Sequence, residues 1–126
     1  MKFRINKTYS LSQLTEVVKN KLDRSYDPNG NEKYIPENIY DIYISRNESL
    51  NQNSILYVGE SVKVDEKLNE IYPKEVIANG YEFHYSCQNF QDIIELVFKH
   101  KCNPTIDDII HNLNVYSEKD NYLNLY

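Results

Sequence analysis

The 126-residue sequence predicts an α+β fold, in which an antiparallel sheet of about four strands carries helices mainly on one face. Three patterns indicate this fold. Residues 81–87 alternate strictly between apolar and polar side chains, as a half-buried strand does. Residues 90–98 and 106–113 then repeat apolar side chains at helical spacing, so two helices follow that strand. A second alternation at residues 39–46 predicts another strand, and the length favours a single domain over residues 1–126.

The N-terminal third begins with a short predicted strand, because residues 3–5 alternate between apolar and polar. Ser10 stands three residues before Gln13, which is the spacing of a capping box. The apolar repeat that follows, through Leu22, predicts a helix of about three turns. Residues 27–30, Asp-Pro-Asn-Gly, match a type I turn, and residues 24–32 around it are predicted to form an exposed polar loop or the tip of a hairpin.

Two strands and a short helix are predicted in the middle of the chain. In the strand at residues 39–46, three apolar side chains share one face: Tyr40, Ile42 and Ile44. A further strand is predicted from residue 55 towards residue 64, with a bulge or a bend at Gly59. Pro73 stands where a short helix begins, and Asn79 and Gly80 end it.

The last third has the clearest pattern. In its strand, the alternation places four side chains on one face: Tyr81, Phe83, Tyr85 and Cys87. Asn89 or its neighbour is predicted to cap the first of the two helices, and Thr105 the second. Residues 122–126 are predicted to pack back on the core or to add a terminal strand.

The negative charge is unevenly distributed along the chain. The formal net charge is −5; residues 1–33 hold seven Lys and Arg against four Asp and Glu, and residues 34–126 hold seven against fifteen. An acidic body disfavours nucleic acid as a partner, because phosphate contacts need Lys and Arg. It favours a basic protein partner, although an acidic surface also serves solubility alone.

The chain is predicted to be cytoplasmic. No apolar run approaches the roughly 20 residues that a membrane span needs. The N-terminus has a basic start but neither an apolar stretch nor a small-residue cleavage site. Two cysteines fifteen positions apart fit a reducing compartment.

We expect neither a metal nor a cofactor. Five side chains that bind metals lie in one region of the sequence: His84, Cys87, His100, Cys102 and His111. Their spacings do not match the closely paired ligands of known zinc sites. Three glycines in the whole chain leave little from which to build a phosphate-binding loop.

Catalysis is the less favoured hypothesis. Asp108 and His111 are three residues apart on the exposed face of the last predicted helix, where a carboxylate and an imidazole can exchange protons. An Asp in a first turn is also ordinary helix chemistry. Neither Cys87 nor Cys102 is predicted to begin a helix, so both are interpreted as small buried residues. A small hydrolase or nucleic-acid-processing enzyme using Asp108 and His111 therefore stays an alternative, as does an adaptor subunit.

Tyrosine is unusually frequent, with twelve copies. Those in polar surroundings are Tyr26, Tyr34, Tyr72, Tyr116, Tyr122 and Tyr126. Exposed tyrosine beside acidic residues is typical of a protein interface.

The C-terminal third resembles a known kind of protein. Residues 89–94 (Asn-Phe-Gln-Asp-Ile-Ile), residues 105–110 (Thr-Ile-Asp-Asp-Ile-Ile) and residues 113–123, which contain Leu-Asn-Val-Tyr, are similar to the C-terminal half of a family of small bacterial cytosolic proteins. Some proteins of this build, small, acidic and rich in tyrosine, are immunity proteins encoded beside contact-dependent or secreted toxins.

The resemblance implies a non-catalytic immunity protein that binds and neutralises a toxin domain, most often a basic nuclease. An acidic surface with exposed tyrosines can imitate the phosphate backbone that such a toxin binds. The predicted partner-binding residues form two clusters, which are Asp65, Glu66, Glu70 and Tyr72, and Asp107, Asp108, Tyr116, Glu118 and Asp120.

Overall fold

A computed structural model describes residues 3–23, 25–26, 28–29, 32–33 and 39–119, with the side chains of 25–26, 32–33 and 116–119 left out. The helices and strands follow one another in the order β1 (Lys7–Ser10), α1 (Leu11–Lys19), β2 (Ser25–Tyr26), β3 (Glu32–Lys33), β4 (Asp41–Ser45), β5 (Ile55–Gly59), β6 (Lys63–Val64), β7 (Glu70–Ile71), α2 (Lys74–Ala78), β8 (Tyr81–Ser86), α3 (Cys87–His100) and α4 (Ile106–Lys119).

The predicted α+β fold is confirmed. Four strands form an antiparallel sheet in the order β1-β5-β4-β8. Two short ribbons, β2-β3 and β6-β7, stand apart from this sheet. In the part of the chain that is described, no helix is long and apolar enough to cross a membrane.

The main core lies between one face of the sheet and the helices α1, α3 and α4. The sheet contributes alternate residues of β4 and β5, as the predicted face of Tyr40, Ile42 and Ile44 required. The helices contribute their apolar stripes, including Leu14 in α1 and Ile94 in α3. We call the opposite side of the sheet, over which α2 and the β6-β7 ribbon lie, the outer face.

A β-bulge in β8 overturns the predicted single apolar face of residues 81–87. Tyr85 pairs with Ile42, but the next pair is Phe83 with Tyr43, so His84 has no partner residue on β4. Tyr85 therefore lies in the main core, whereas Tyr81 and Phe83 lie against the outer face. A bulge inserts one extra residue and so reverses the alternation beyond it.

The helix caps agree with the sequence in two cases and differ in one. Ser10 and Gln13 form the predicted capping box of α1. Thr105 Oγ1 accepts the Asp108 N–H at 3.1 Å at the start of α4. In α3, however, Ser86 is the cap, and its Oγ accepts the Asn89 N–H at 3.2 Å. The helix begins at Cys87 because Ser86 ends β8 and turns the chain at once.

Several element bounds also differ. The first strand is residues 7–10, and residues 3–5 precede it in non-strand conformation. Helix α1 ends at Lys19, and Leu22 lies beyond it on the surface. The strand predicted from 55 to 64 is divided, since β5 ends at Gly59 and β6 pairs with β7 instead. Residues 27, 30 and 122–126 lie outside the described chain.

Candidate functional site

Aromatic rings from three strands cover the outer face of the sheet. The Tyr43 ring lies 6.2 Å from that of Tyr57 and 6.3 Å from that of Phe83, centroid to centroid. Tyr57 in turn stacks on Tyr81. Gly59 makes room for them, because a Cβ there would lie 2.9 Å from Tyr57 Cε1. The rings give this side of the sheet a second, smaller apolar cluster.

The segment after β5 is tied down over these rings. Tyr43 Oη donates to the Glu60 carbonyl at 2.7 Å, and Asp41 Oδ2 accepts the Val62 N–H at 2.9 Å. Burial raises the pKa of Asp41. Val76 of α2 is fully buried against the same cluster. These contacts fix residues 60–62 and α2 against the outer face.

Apolar side chains are exposed mainly on this side of the molecule. Among the residues whose side chains are described, six of the seven exposed large hydrophobic side chains belong to the outer face, α2 or the β6-β7 ribbon; they are Ile55, Val64, Leu68, Ile71, Ile77 and Phe83. Between α2 and β8 lies an open cavity of about 530 Å³, lined by Tyr72, Ile77, Tyr81 and Phe83 among others. Exposed apolar residues that cluster in this way mark interaction surfaces.

The acidic surplus lies on the same side. Residues 60–82 hold six carboxylates and three lysines, a formal charge of −3. Residues 3–23 and 86–115, which carry the helices packed on the main core, hold six carboxylates and six Lys and Arg, a formal charge of zero. Four of the six exposed apolar side chains belong to this same segment, and the tertiary structure adds Ile55 and Phe83 to them.

The first predicted cluster lies on the β6-β7 ribbon, and the structure gives its members different roles. Asp65 Oδ1 accepts the N–H groups of Lys67 and Asn69 at 2.8 and 2.9 Å, so this carboxylate closes the turn. The Asn69 N–H is the main cause of the lowered pKa of Asp65. The Tyr72 hydroxyl donates to the carboxylate of Glu70. Glu66 is exposed at the turn.

The second predicted cluster lies on α4, which packs on the other side of the sheet with α3. Asp107 accepts a hydrogen bond from Gln52 Nε2 at 2.8 Å. Asp108 accepts the Thr105 N–H and binds Lys101 Nζ at 2.7 Å. The backbones of Tyr116 and Glu118 belong to α4, but their side chains, and all of Asp120, lie outside the described part of the chain. The described members of the two predicted clusters therefore lie on opposite sides of the sheet.

The chain matches a known protein family. Residues 32–125 match the model of DUF7716, described as a domain of unknown function. The chain belongs to the DUF7716 family. No curated protein and no solved structure matches it significantly. The matched residues include β4, β5, α2, β8 and the β6-β7 ribbon, so the whole outer face except β1 belongs to the DUF7716 domain.

Of the two groups considered for acid–base chemistry in this DUF7716 protein, Asp108 has structural partners. Lys101, followed by the Thr105 N–H, lowers the pKa of Asp108, and a carboxyl group of low pKa is a poor proton donor near neutral pH. His111 is exposed on α4. Within the described residues, no three His, Cys, Asp or Glu side chains lie close enough to hold a metal ion.

The cysteines differ from their predicted placement in two respects, since Cys87 begins a helix and Cys102 is exposed although both were interpreted as buried. Cys87 begins α3, contrary to the expectation that neither cysteine begins a helix. Helix N-termini lower thiol pKa values in general, but here burial raises the pKa of Cys87, so its thiol stays protonated. Cys102 is exposed in the connection between α3 and α4.

Sequence patterns missed the apolar part of the DUF7716 outer face. Phe83 was assigned to the core side of its strand, and neither Leu68 nor Ile77 was singled out. Leu68 did carry a signal, since it is the one aliphatic residue in the otherwise polar segment 65–70. The exposure of Ile77 and Phe83 follows from the position of α2 and from the bulge at His84, and neither feature is encoded in a local pattern.

Proposed function

We propose that this DUF7716 protein is a non-catalytic cytoplasmic immunity protein, which binds and neutralises a cognate toxin domain with a positively charged surface, of the nuclease type. The observation that carries the proposal is the coincidence, on the outer face, of the acidic surplus of residues 60–82 with exposed apolar side chains. The resemblance of residues 89–123 to immunity proteins supplies the kind of partner.

Charge complementarity supports a cationic partner. A nuclease binds the phosphate backbone through Lys and Arg, and the same surface is attracted by clustered carboxylates. Such attraction speeds association and sets the orientation of the partner. The exposed apolar side chains among the carboxylates then supply the contact area that charge alone does not.

Co-expression tests the proposal directly. The protein encoded beside this one is produced alone and together with the DUF7716 protein in a bacterial host, and growth is measured. Growth arrest by the neighbour alone, relieved by the DUF7716 protein, supports immunity. A stable complex with a neighbour that has no effect on growth instead supports an adaptor subunit, and contradicts the proposal.

Charge reversal locates the surface. In the variant Glu66→Lys with Glu70→Lys, affinity for the toxin domain is expected to fall at least about tenfold, and the loss should shrink at high salt. The matched comparison is Glu16→Lys with Asp107→Lys, which makes the same charge change at two exposed residues of the helical side, and Asp107 represents the second predicted cluster there. An equal loss in both variants would contradict an interface on the outer face.

A further inference from the structure

The tip of the β6-β7 ribbon holds an exposed leucine in an unfavourable backbone conformation. Leu68 has φ of +65°, in the left-handed region where glycine and asparagine are favoured. Its side chain is 84% exposed, the highest value among the large hydrophobic side chains that are exposed in the described chain. Leu68 belongs to neither apolar cluster, so no packing within the described chain compensates for the strain.

The turn is braced in this conformation by its own hydrogen bonds. The Leu68 N–H donates to the Asp65 carbonyl at 3.0 Å, and the Asp65 N–H donates to the Asn69 carbonyl at 3.0 Å. The side chain of Asp65 accepts two more N–H groups of the turn. These bonds fix the backbone of the turn, so that Leu68 projects outward before any partner arrives, and such preorganisation of the backbone reduces the entropy lost on binding.

We propose that Leu68 is the apolar anchor of the interface, and that it enters an apolar pocket ringed by Lys and Arg on the toxin domain. This inference rests on the proposed function, which supplies a cationic protein partner. Strain kept at an exposed residue suggests a function for that residue, since selection for stability alone favours glycine there. Glu66 and Glu70 lie two residues to either side of Leu68, with Lys67 and Asn69 next to it, and these polar residues match the polar rim that surrounds an interface hot spot.

The formal charge of residues 60–82 favours a toxin domain, and not a second copy of this chain, as the protein that binds Leu68. Two copies of the ribbon would bring the carboxylates of residues 60–82 against one another, with twice the formal charge of −3. A partner rich in Lys and Arg would instead be attracted by the same carboxylates.

Two substitutions separate binding from folding. Leu68→Gly and Leu68→Asn place residues that favour positive φ at the strained position, so the midpoint of urea unfolding should stay equal or rise. Affinity for the catalytically inactive toxin domain, measured by calorimetry, should fall at least about tenfold. The matched control is Leu22→Ala, which truncates an exposed leucine away from the outer face and should leave affinity within about twofold.

The outcomes distinguish this inference from the proposed function. If both Leu68 variants bind as tightly as the unaltered chain while the Glu66 and Glu70 reversal weakens binding, the anchor is wrong and the immunity function stands. A lower urea midpoint for Leu68→Gly would show that the leucine packs within its own chain, and would also overturn the anchor. Loss of self-association, with unchanged toxin affinity, would assign Leu68 to a dimer contact instead.

Discussion

The ring of Tyr57 in β5 stacks on the ring of Tyr81 in β8, with centroids 5.1 Å apart and planes 10° from parallel. The two strands are not neighbours, since β4 lies between them. The stacked pair therefore crosses over β4 and joins three strands of the sheet on the outer face. Tyr81 of this pair also lines the cavity between α2 and β8.

We expect the two rings to stabilise the fold jointly. The variants Tyr57→Leu, Tyr81→Leu and the double variant form a cycle, whose coupling free energy from urea unfolding should be about 0.5–1.5 kcal/mol. Stacking is lost once either ring is removed, so the double variant should be less destabilised than the sum of the single ones. Strict additivity would mean that the rings are adjacent but do not interact.

A buried hydroxyl gives a second prediction. Tyr40 Oη donates to Asp23 Oδ2 at 2.7 Å, and Gln91 Nε2 donates to the same oxygen at 2.6 Å. Burial raises the pKa of Tyr40 well above its usual value, so the hydroxyl stays a donor. Tyr40→Phe removes that donor from a buried carboxylate and should lower the free energy of unfolding by about 1–3 kcal/mol.

Tyr57→Phe is the matched control for Tyr40→Phe. The Tyr57 hydroxyl makes a long hydrogen bond of 3.4 Å to Asn6 in a partly exposed place. Its removal should lower the free energy of unfolding by less than about 0.5 kcal/mol. Equal effects of the two substitutions would show that the Asp23 pair contributes nothing beyond a surface contact.

His84, the residue at the β-bulge, is expected to make the stability of the fold depend on pH. Burial lowers the pKa of His84 below its ordinary 6.5, and the weaker effect of Glu82 opposes this. The neutral ring is therefore favoured by folding. This contribution is complete above the unfolded-state pKa and is lost as pH falls towards the folded-state value. His84→Gln should consequently lose less stability than the unaltered chain between about pH 7.5 and about pH 5.5, measured by urea unfolding.

The plots of unfolding free energy against pH for the unaltered chain and for His84→Gln should differ in slope only on the acidic side. At about pH 7.5 the imidazole is neutral in both the folded and the unfolded chain, so any difference there reports packing alone. Two parallel profiles would contradict the assignment of the pH dependence to His84.

Ser86, and not the predicted Asn89, caps α3, and two substitutions test this difference. Ser86→Ala should lower the free energy of unfolding by about 0.5–2 kcal/mol, because it removes the oxygen that accepts the Asn89 N–H. Asn89→Ala is the paired substitution, and it should change the free energy of unfolding by less than about 0.5 kcal/mol. The reverse order, with Asn89 the more sensitive residue, would restore the original prediction that Asn89 is the cap.

Local patterns predicted most of the secondary structure. The capping box of Ser10 and Gln13 and the core face of β4 were correct because each depends on residues within one or two turns or one strand. The prediction that Tyr81, Phe83 and Tyr85 share one face of β8 was wrong. His84 has no partner residue on β4, so the residues before it face the other side of the sheet. Only the partner strand determines where a bulge occurs, and no residue within 81–87 announces it.

The residues of the proposed surface were chosen from the sequence only in part, and their role in binding stays a prediction. Glu66, Glu70 and Tyr72 were chosen from composition and lie on the acidic side of the molecule. Leu68 was not chosen, because its exposure and its positive φ are properties of the folded turn.

The chain by itself determined the α+β class, the segments that form the four helices and strands β4 and β8, and the excess of negative over positive charge after residue 33, since these properties depend on neighbouring residues or on counting. Only the tertiary structure decided that the side chains of Ile55 and Phe83 face the side of the sheet on which the segment after β5 lies, while Asp107 and Asp108 of α4 lie across the sheet. The physical reason is that strand pairing and helix packing assign each segment to a face, and pairing partners are distant in sequence.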